Sequence, residues 1–212
     1  MKQDVILAGV GGQGLLSAAA IIGDAAVHRG LHVKQAEVHG MAQRGGAVES
    51  HLRIADGTIH SDLIARGSAD VILALEPMEA LRYVPYLAPA GTIVTAGSPV
   101  ENVDSYPDLD ALLEALRAAA PTLVVDAAGL AREAGSARSA NMVVAGAGAP
   151  LLALTKDELE AAIERLFAAK GQDVVETNVK AFRLGFEVGE RWLSSSGNAR
   201  GEAPQRVQGQ GV

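Results

Sequence analysis

The chain has 212 residues, enough for one domain with a substantial hydrophobic core. It contains no cysteine, which excludes iron–sulfur ligation, thiolate zinc sites and cysteine nucleophiles in this chain. With 18 Lys and Arg against 25 Asp and Glu, the formal charge of −7 argues against nucleic acid and anionic membranes as partners.

The chain begins with a predicted strand, a glycine turn and a helix. Residues 5–8 are a short apolar run, and Gly9 follows directly. Apolar residues then recur at helical spacing over residues 15–26. Residues 31–38 predict a second strand, so these elements together predict a β-α-β unit.

The next predicted strand has one apolar and one polar face. Residues 47–54 alternate in polarity, which is typical of a strand that is half exposed. Its polar face carries Glu49, His51 and Arg53. We interpret these three side chains as a candidate interface, and the alternative is the solvated face of an edge strand.

The rest of the chain continues the α/β pattern and ends in helices. Further strands are predicted at residues 71–75, 92–95 and 122–125, and helices at residues 77–83, 109–119, 141–154, 156–169 and 174–193. Thr155 and Glu158 have the spacing of a capping box, which marks the start of the fourth of these helices. In the last helix, Asn178, Ala181 and Gly185 form a stripe of small residues that predicts close packing.

These elements predict an α/β fold, namely a Rossmann-like three-layer domain with a mostly parallel sheet and C-terminal helices. The composition agrees, because 24 glycines and only 3% aromatic residues are typical of close helix-on-sheet packing. We expect this domain to span residues 1–193. Residues 194–212 are rich in Ser, Gly and Gln without periodicity, so we expect a disordered tail.

A glycine-rich turn follows the first strand. Gly9-Val10-Gly11-Gly12-Gln13-Gly14 fits the pattern GxGxxG at the junction of a strand and a helix. Glycines let the backbone approach an anion, and the helix N-terminus attracts phosphate or carboxylate. Glu37, about 20 residues further on, could accept a ribose hydroxyl in a dinucleotide site. The alternative is that the glycines only permit close packing of strand and helix.

A second unusual segment follows the second strand. Val38-His39-Gly40-Met41-Ala42-Gln43-Arg44-Gly45-Gly46 is dense in glycine, amide and charge, where a doubly wound fold would have a crossover helix. His39, Gln43 and Arg44 could donate hydrogen bonds to a carboxylate or phosphate, with Arg44 giving bidentate geometry. The alternative is a solvated turn.

Other common site patterns are absent from the sequence. His28, His32 and His60 lack the spacing of a metal site, so we predict no metal. Neither a GxSxG elbow nor a P-loop occurs. No apolar run reaches the roughly 18–20 residues of a membrane span, and the first residues do not have the form of a secretory signal. We therefore expect a cytoplasmic protein.

Taken together, the glycine turn and residues 37–46 closely resemble the beta subunit of the indolepyruvate ferredoxin oxidoreductases. That subunit corresponds to the gamma-type domain of the wider 2-oxoacid ferredoxin oxidoreductase family. The resemblance covers about residues 3–193 and continues through residues 69–73, Glu76-Pro77, Asn141-Met142 and residues 178–185.

The resemblance implies a subunit of an enzyme that oxidatively decarboxylates arylpyruvates, such as indolepyruvate, to aryl-acetyl-CoA and reduces ferredoxin. It also implies that thiamine diphosphate, Mg²⁺ and the iron–sulfur clusters belong to a large catalytic partner subunit. The sequence agrees, since it has no cysteine and no Gly-Asp-Gly motif followed by Asn at the spacing of thiamine enzymes. We expect no cofactor on this chain and no activity from it alone, with ferredoxin and CoA as partners of the complex.

The same resemblance suggests roles for the two glycine-rich segments. We expect His39, Gln43, Arg44, Gly45 and Gly46 to face the partner, near the thiamine site or the entry route of CoA. Gly9, Gly11, Gly12, Gln13 and Gly14 are either structural or a latent anion site. Two alternatives stay open. One is a stand-alone NAD(P)- or nucleotide-binding Rossmann enzyme, and the other is a non-catalytic regulatory interaction module.

Overall fold

The computed structural model describes residues 1–40, 45–101 and 105–200, with side chains up to residue 196. Within these ranges the strands are β1 (Lys2–Val10), β2 (His32–His39), β3 (Ala47–Ala55), β4 (Ala69–Ala74), β5 (Leu87–Ala96) and β6 (Thr122–Val125). The α-helices are α1 (Leu15–His28), α2 (Pro77–Tyr83), α3 (Leu109–Ala119), α4 (Ala127–Ala134), α5 (Ala140–Gly148), α6 (Lys156–Phe167) and α7 (Gln172–Arg200). None of these helices is both long and apolar enough to cross a bilayer.

The six strands form one mixed sheet in the order β2-β3-β1-β4-β5-β6. β1, β4, β5 and β6 are parallel to one another, whereas β3 is antiparallel to both of its neighbours. β1 and β2 therefore run in the same direction, as the predicted β-α-β unit requires, but β3 lies between them. The prediction of a mostly parallel α/β sheet is confirmed.

Helices cover both faces of the sheet, because successive residues of its central strands point to opposite sides. On one face, Val5, Leu7 and Leu73 pack in the core formed with α1, α4, α5, α6 and α7. On the other face, Ile6 and Ile72 pack with α2 and α3. The larger core lies on the side of the five helices.

Helix α5 is buried between the sheet and α7, which explains why its sequence is apolar and small on every side. A Cβ added at Gly146 would overlap the carbonyl of Phe182, and one added at Gly185 would overlap the carbonyl of Val143. The predicted close packing at the small-residue stripe of the last helix is thus a backbone-to-backbone approach of α5 and α7.

Most predicted elements are present, although β1 and β5 are longer than predicted and the C-terminal helices differ in their bounds. The capping box is present, since Thr155 N–H donates to Glu158 Oε2 at 2.7 Å and Glu158 N–H donates to Thr155 Oγ1 at 3.3 Å. Helix α5 ends at Gly148 instead of residue 154. Helix α4 was not predicted, although Asp126 caps its N-terminus and Gly135 ends it at φ 116°.

The last helix is longer than the sequence predicts. It continues from residue 193 to Arg200, into the segment expected to be disordered. The hydroxyls of Ser194 and Ser195 donate to the carbonyls of Glu190 and Trp192, so these polar residues are satisfied within a helix. Residues 201–212 lie outside the described residues, and the domain boundary near residue 193 stays a prediction.

Candidate functional site

The glycine turn, residues 9–14, lies where the carboxyl ends of β1 and β4 meet. The helix after β1 packs on one face of the sheet and the helix after β4 packs on the other. This is the topological switch point of the sheet, the position at which open α/β sheets bind ligands. The fold therefore places the predicted motif at the expected ligand-binding edge.

The side chain of Gln13 bridges the two strands at this point. Its Oε1 accepts a hydrogen bond of 2.7 Å from the N–H of Val10, and its Nε2 donates one of 2.9 Å to the carbonyl of Leu75. A Cβ at Gly9 would lie 2.9 Å from Gln13 Oε1, so glycine leaves the space that this amide occupies. Gly9 and Gln13 thus have structural roles, and the amide fills the crevice between the strand ends.

Gly14 connects α1 to α5. It is the N-cap residue of α1 with φ 80°, a conformation that favours glycine, and Gly12 has φ 100°. The Nδ2 of Asn141 donates a hydrogen bond of 2.9 Å to the Gly14 carbonyl. A Cβ on Gly14 would lie 2.6 Å from that nitrogen. Asn141 was not predicted as a site residue, and the signal that could have found it is a polar amide at the start of an apolar helix.

The end of the second glycine-rich segment pairs with the glycine turn. Gly11 N–H donates to the Gly46 carbonyl at 2.8 Å, and Gly45 N–H donates to the Gly11 carbonyl at 3.3 Å. The two segments that the sequence marked as candidates are therefore adjacent. His39 is exposed at the end of β2. Gln43 and Arg44 lie outside the described residues.

His51 does not lie on an open face, contrary to the prediction of a half-exposed strand. It is 3% exposed, its Nδ1 accepts a hydrogen bond of 3.0 Å from Ile64 N–H, and its ring packs nearly perpendicular to that of Tyr86. Burial lowers the pKa of His51. Residues 56–68 fold back over this side of β3, and alternation within one strand cannot show which loop will cover it.

Arg53 is also committed to contacts within the chain. Its Nε and Nη2 donate to the two carboxylate oxygens of Asp4 at 2.8 and 3.1 Å. Its Nη1 donates to the carbonyls of Ser61 and Leu63 at 3.0 and 3.1 Å. Arg53 thus joins β1, β3 and the covering loop, and it offers little surface to a partner.

Glu49, the third candidate interface residue, is half-buried next to Tyr83. Burial raises the pKa of the Tyr83 hydroxyl, and its hydrogen bond to Glu49 raises it further. Glu49 is therefore more exposed than the buried His51. An interface role for all three stays a prediction.

Glu37 is not placed as the ribose acceptor of a dinucleotide fold. Its carboxylate accepts a hydrogen bond of 2.6 Å from Gln35 Nε2, and its strand is separated from β1 by β3. In the dinucleotide-binding fold the corresponding acidic residue ends the strand beside β1. Together with the Gln13 bridge, this arrangement disfavours a stand-alone NAD enzyme.

A buried carboxylate at the end of β4 holds the neighbouring loop. Glu76 is 0% exposed and caps α2 through a hydrogen bond of 2.8 Å from Glu79 N–H. The Tyr106 hydroxyl also donates to Glu76, which fixes the segment after β5 beside the switch point. Burial raises the pKa of Glu79, and Arg82 opposes that shift. Glu76 belongs to the segments that carry the family resemblance, but its role as a buried cap was not predicted.

Two clefts flank the glycine turn and share Gly14, Arg138 and Asn141. The carboxyl-edge cleft has a volume of about 440 Å³ and reaches over Leu75, Ala96 and Ala127 at the ends of β4, β5 and β6. The three-helix cleft has a volume of about 490 Å³ and lies where the N-terminal turns of α1, α5 and α7 converge. Among the described residues, no group of three or more His, Asp or Glu side chains is arranged to hold a metal ion.

Comparisons with known proteins agree with this geometry. Residues 4–188 match the family described as pyruvate ferredoxin/flavodoxin oxidoreductase. The chain is 39% identical over 196 residues to the indolepyruvate oxidoreductase subunit IorB of Archaeoglobus fulgidus, covering 88% of this chain and 94% of that protein.

Solved structures show the same fold. The gamma subunit of a keto/oxoacid ferredoxin oxidoreductase from Geobacter sulfurreducens has a TM-score of 0.66 and 26% identity, with 89% of this chain and 99% of that chain covered. A chain of the 2-oxoglutarate:ferredoxin oxidoreductase from Magnetococcus marinus has a TM-score of 0.73 and 23% identity. That match covers 90% of this chain but only 31% of the longer Magnetococcus marinus chain. The chain therefore belongs to the pyruvate ferredoxin/flavodoxin oxidoreductase family.

Proposed function

We propose that this chain is the small subunit of a 2-oxoacid:ferredoxin oxidoreductase that acts on indolepyruvate or a related arylpyruvate. The observation that carries the proposal is the 39% identity to an indolepyruvate oxidoreductase subunit over nearly the whole length of both proteins. In the reaction, a 2-oxo acid, CoA and two oxidised ferredoxins give an acyl-CoA, CO₂, a proton and two reduced ferredoxins.

We infer that the redox and thiamine chemistry belongs to a large catalytic partner subunit. The residues of this chain do not fit those groups, because the sequence has no cysteine for a cluster and the described residues hold no carboxylate or histidine group suited to a metal. Thiamine diphosphate in the partner would supply carbanion stabilisation. The same proposal places the complex in the cytoplasm, since its carriers, CoA and ferredoxin, are soluble.

The edge that carries the glycine turn and residues 45–46 is the surface we propose to face the catalytic partner. The backbone bonds between Gly11 and residues 45–46 join both segments into one unit, which supports a common role. CoA is a ligand named for the Magnetococcus marinus enzyme, and we propose that it enters the assembled enzyme along this edge. Arg44, which precedes Gly45 in the sequence, would contribute a guanidinium to the contacts with the partner.

Reconstitution tests the proposal. A large subunit of this family with thiamine and cluster motifs is purified with and without this chain, and indolepyruvate- and CoA-dependent reduction of ferredoxin is measured. We expect activity only when both chains are present. Full activity of the large subunit alone would indicate a regulatory module instead, and turnover by this chain alone would contradict the proposal. Thermal stabilisation by millimolar NAD would favour the stand-alone nucleotide enzyme.

A further inference from the structure

The three-helix cleft has the features of a binding site that the proposed function does not use. It lies between α1, α5 and α7, and its volume of about 490 Å³ is in the range of small-molecule sites. The N-terminal turns of all three helices border it, through Ser17, Ser139 and Asp173. Because each helix N-terminus carries a partial positive charge, three of them together attract an anion.

The side chains around the cleft add to this positive potential. Arg138 and Lys170 line it, and Asp173 is the acidic residue among its lining side chains. Within the described part of the chain, the guanidinium of Arg138 has no hydrogen bond or ion pair, and Lys170 makes only a contact of 5.0 Å with the ring of Phe167. Both cations are therefore available to a ligand.

The buried hydroxyl of Ser139 is further evidence for an anionic ligand in the cleft. Ser139 is 2% exposed and is the N-cap residue of α5, yet its side chain forms no capping hydrogen bond. Its Oγ has no partner among the described residues. No fully buried side-chain polar atom in these ranges lacks a partner, so the Ser139 hydroxyl keeps its small exposed surface on the cleft. A hydroxyl left without a partner at such a site is suited to donate to a bound oxygen.

Hydroxyls approach the same space from several sides, which distinguishes the ligands. Ser17 lies on α1, Ser139 before α5 and Thr177 on α7. A phosphate monoester has three terminal oxygens that accept hydrogen bonds from different directions, whereas a carboxylate accepts in one plane. Phe167 and Val174 supply apolar lining for the body of an ester.

We propose that the three-helix cleft binds the phosphate group of a small phosphate monoester, of the size of a nucleoside monophosphate. Ser139 and Ser17 would donate to its oxygens, and Arg138 and Lys170 would balance its charge. The cleft lies beside the glycine turn, through Gly14, but the proposal is tested by binding to this chain alone. Its failure is therefore distinguishable from failure of the reconstitution that tests the proposed function.

The test uses the full chain and titrates AMP, inorganic phosphate and acetate at constant ionic strength by calorimetry. We expect saturable binding of AMP, weaker binding of inorganic phosphate, and none of acetate. Ser139→Ala and Lys170→Gln should each weaken AMP binding by about fivefold or more. Lys170 is exposed, so its variant keeps the test valid even if the buried Ser139 substitution impairs folding.

Matched controls lie at distant positions. Lys34→Gln removes a charge on β2, where Lys34 pairs with Asp62, and Ser68→Ala removes a hydroxyl just before β4, at the opposite edge of the sheet. Both should bind AMP as the wild type does. The proposal is overturned if neither AMP nor inorganic phosphate binds saturably at concentrations up to about 10 mM. It is also overturned if Lys170→Gln binds AMP with the wild-type affinity.

Discussion

The side-chain amide of Asn141 donates a 2.9 Å hydrogen bond to the backbone carbonyl of Gly14. Through this bond the first turn of α5 is attached to the N-cap of α1, although 127 residues separate the two in sequence. The contact lies at the meeting point of both clefts. It makes the glycine turn part of the tertiary structure of the C-terminal half.

Gly14→Ala should destabilise the chain more than Gly12→Ala. Both glycines have positive φ, and an alanine there costs about 1–2 kcal/mol of backbone strain. At Gly14 the new Cβ would also crowd Asn141, whereas nothing lies within 4 Å of a Cβ at Gly12. Urea denaturation measures both free energies of unfolding. Equal losses for the two variants would contradict the assigned contact, and adding Asn141→Ala to Gly14→Ala should recover part of the loss.

Gln13→Ala should lower the free energy of unfolding by about 1–3 kcal/mol, because it leaves the Val10 N–H and the Leu75 carbonyl without partners. Gln13→Glu is the matched variant, since it keeps an acceptor for Val10 but places a carboxylate against the Leu75 carbonyl. Thermal and urea unfolding of both variants test this bridge. A neutral effect of Gln13→Ala would show that water replaces the amide without loss.

Arg53→Ala should cost about 3 kcal/mol of stability, since it leaves the Asp4 carboxylate buried at 1% exposure without its bidentate partner. Lys2→Ala is the control. Lys2 also lies 2.9 Å from Asp4, but its side chain is 59% exposed, so its loss should cost less than about 1 kcal/mol. Comparable effects of the two substitutions in urea denaturation would argue against the buried pair as the main constraint.

Stability should fall as the pH is lowered below the ordinary pKa of histidine, about 6.5. The folded-state pKa of His51 is lowered by burial, with Glu49 and Asp4 opposing that shift and Arg53 adding to it. Between the two pKa values the unfolded chain binds the extra proton, so the free energy of unfolding rises with pH in that window. His51→Gln should flatten the dependence, while His60→Gln, at an exposed position, should not.

Arg44→Ala tests whether residues 39–46 face the catalytic partner. We expect weaker assembly with the large subunit or slower ferredoxin reduction, by about tenfold for the loss of one charge-assisted contact. Arg117→Ala, on the exposed side of α3, is the control and should change neither. Wild-type assembly and activity of the Arg44 variant would remove the segment from the proposed interface.

The predictions that succeeded rest on local chemistry. The capping box at Thr155, the helix over residues 77–83 and the glycine turn after β1 are each specified by residues close together in sequence. The half-exposed face predicted for β3 and the dinucleotide alternative at Glu37 depended on distant residues. The burial of His51 is decided by Ile64 and Tyr86, and the separation of Glu37 from β1 is decided by where β3 inserts.

The sequence by itself determined the α/β class, the glycine turn and the family, because backbone propensity, hydrophobic period and motif spacing are properties of short segments. Only the tertiary structure decided that β3 lies between β1 and β2, that Gln13 fills the switch point, and that three helix N-termini converge on one cleft. Those relationships arise when segments far apart in the chain pack together, and no local pattern encodes which segments will meet.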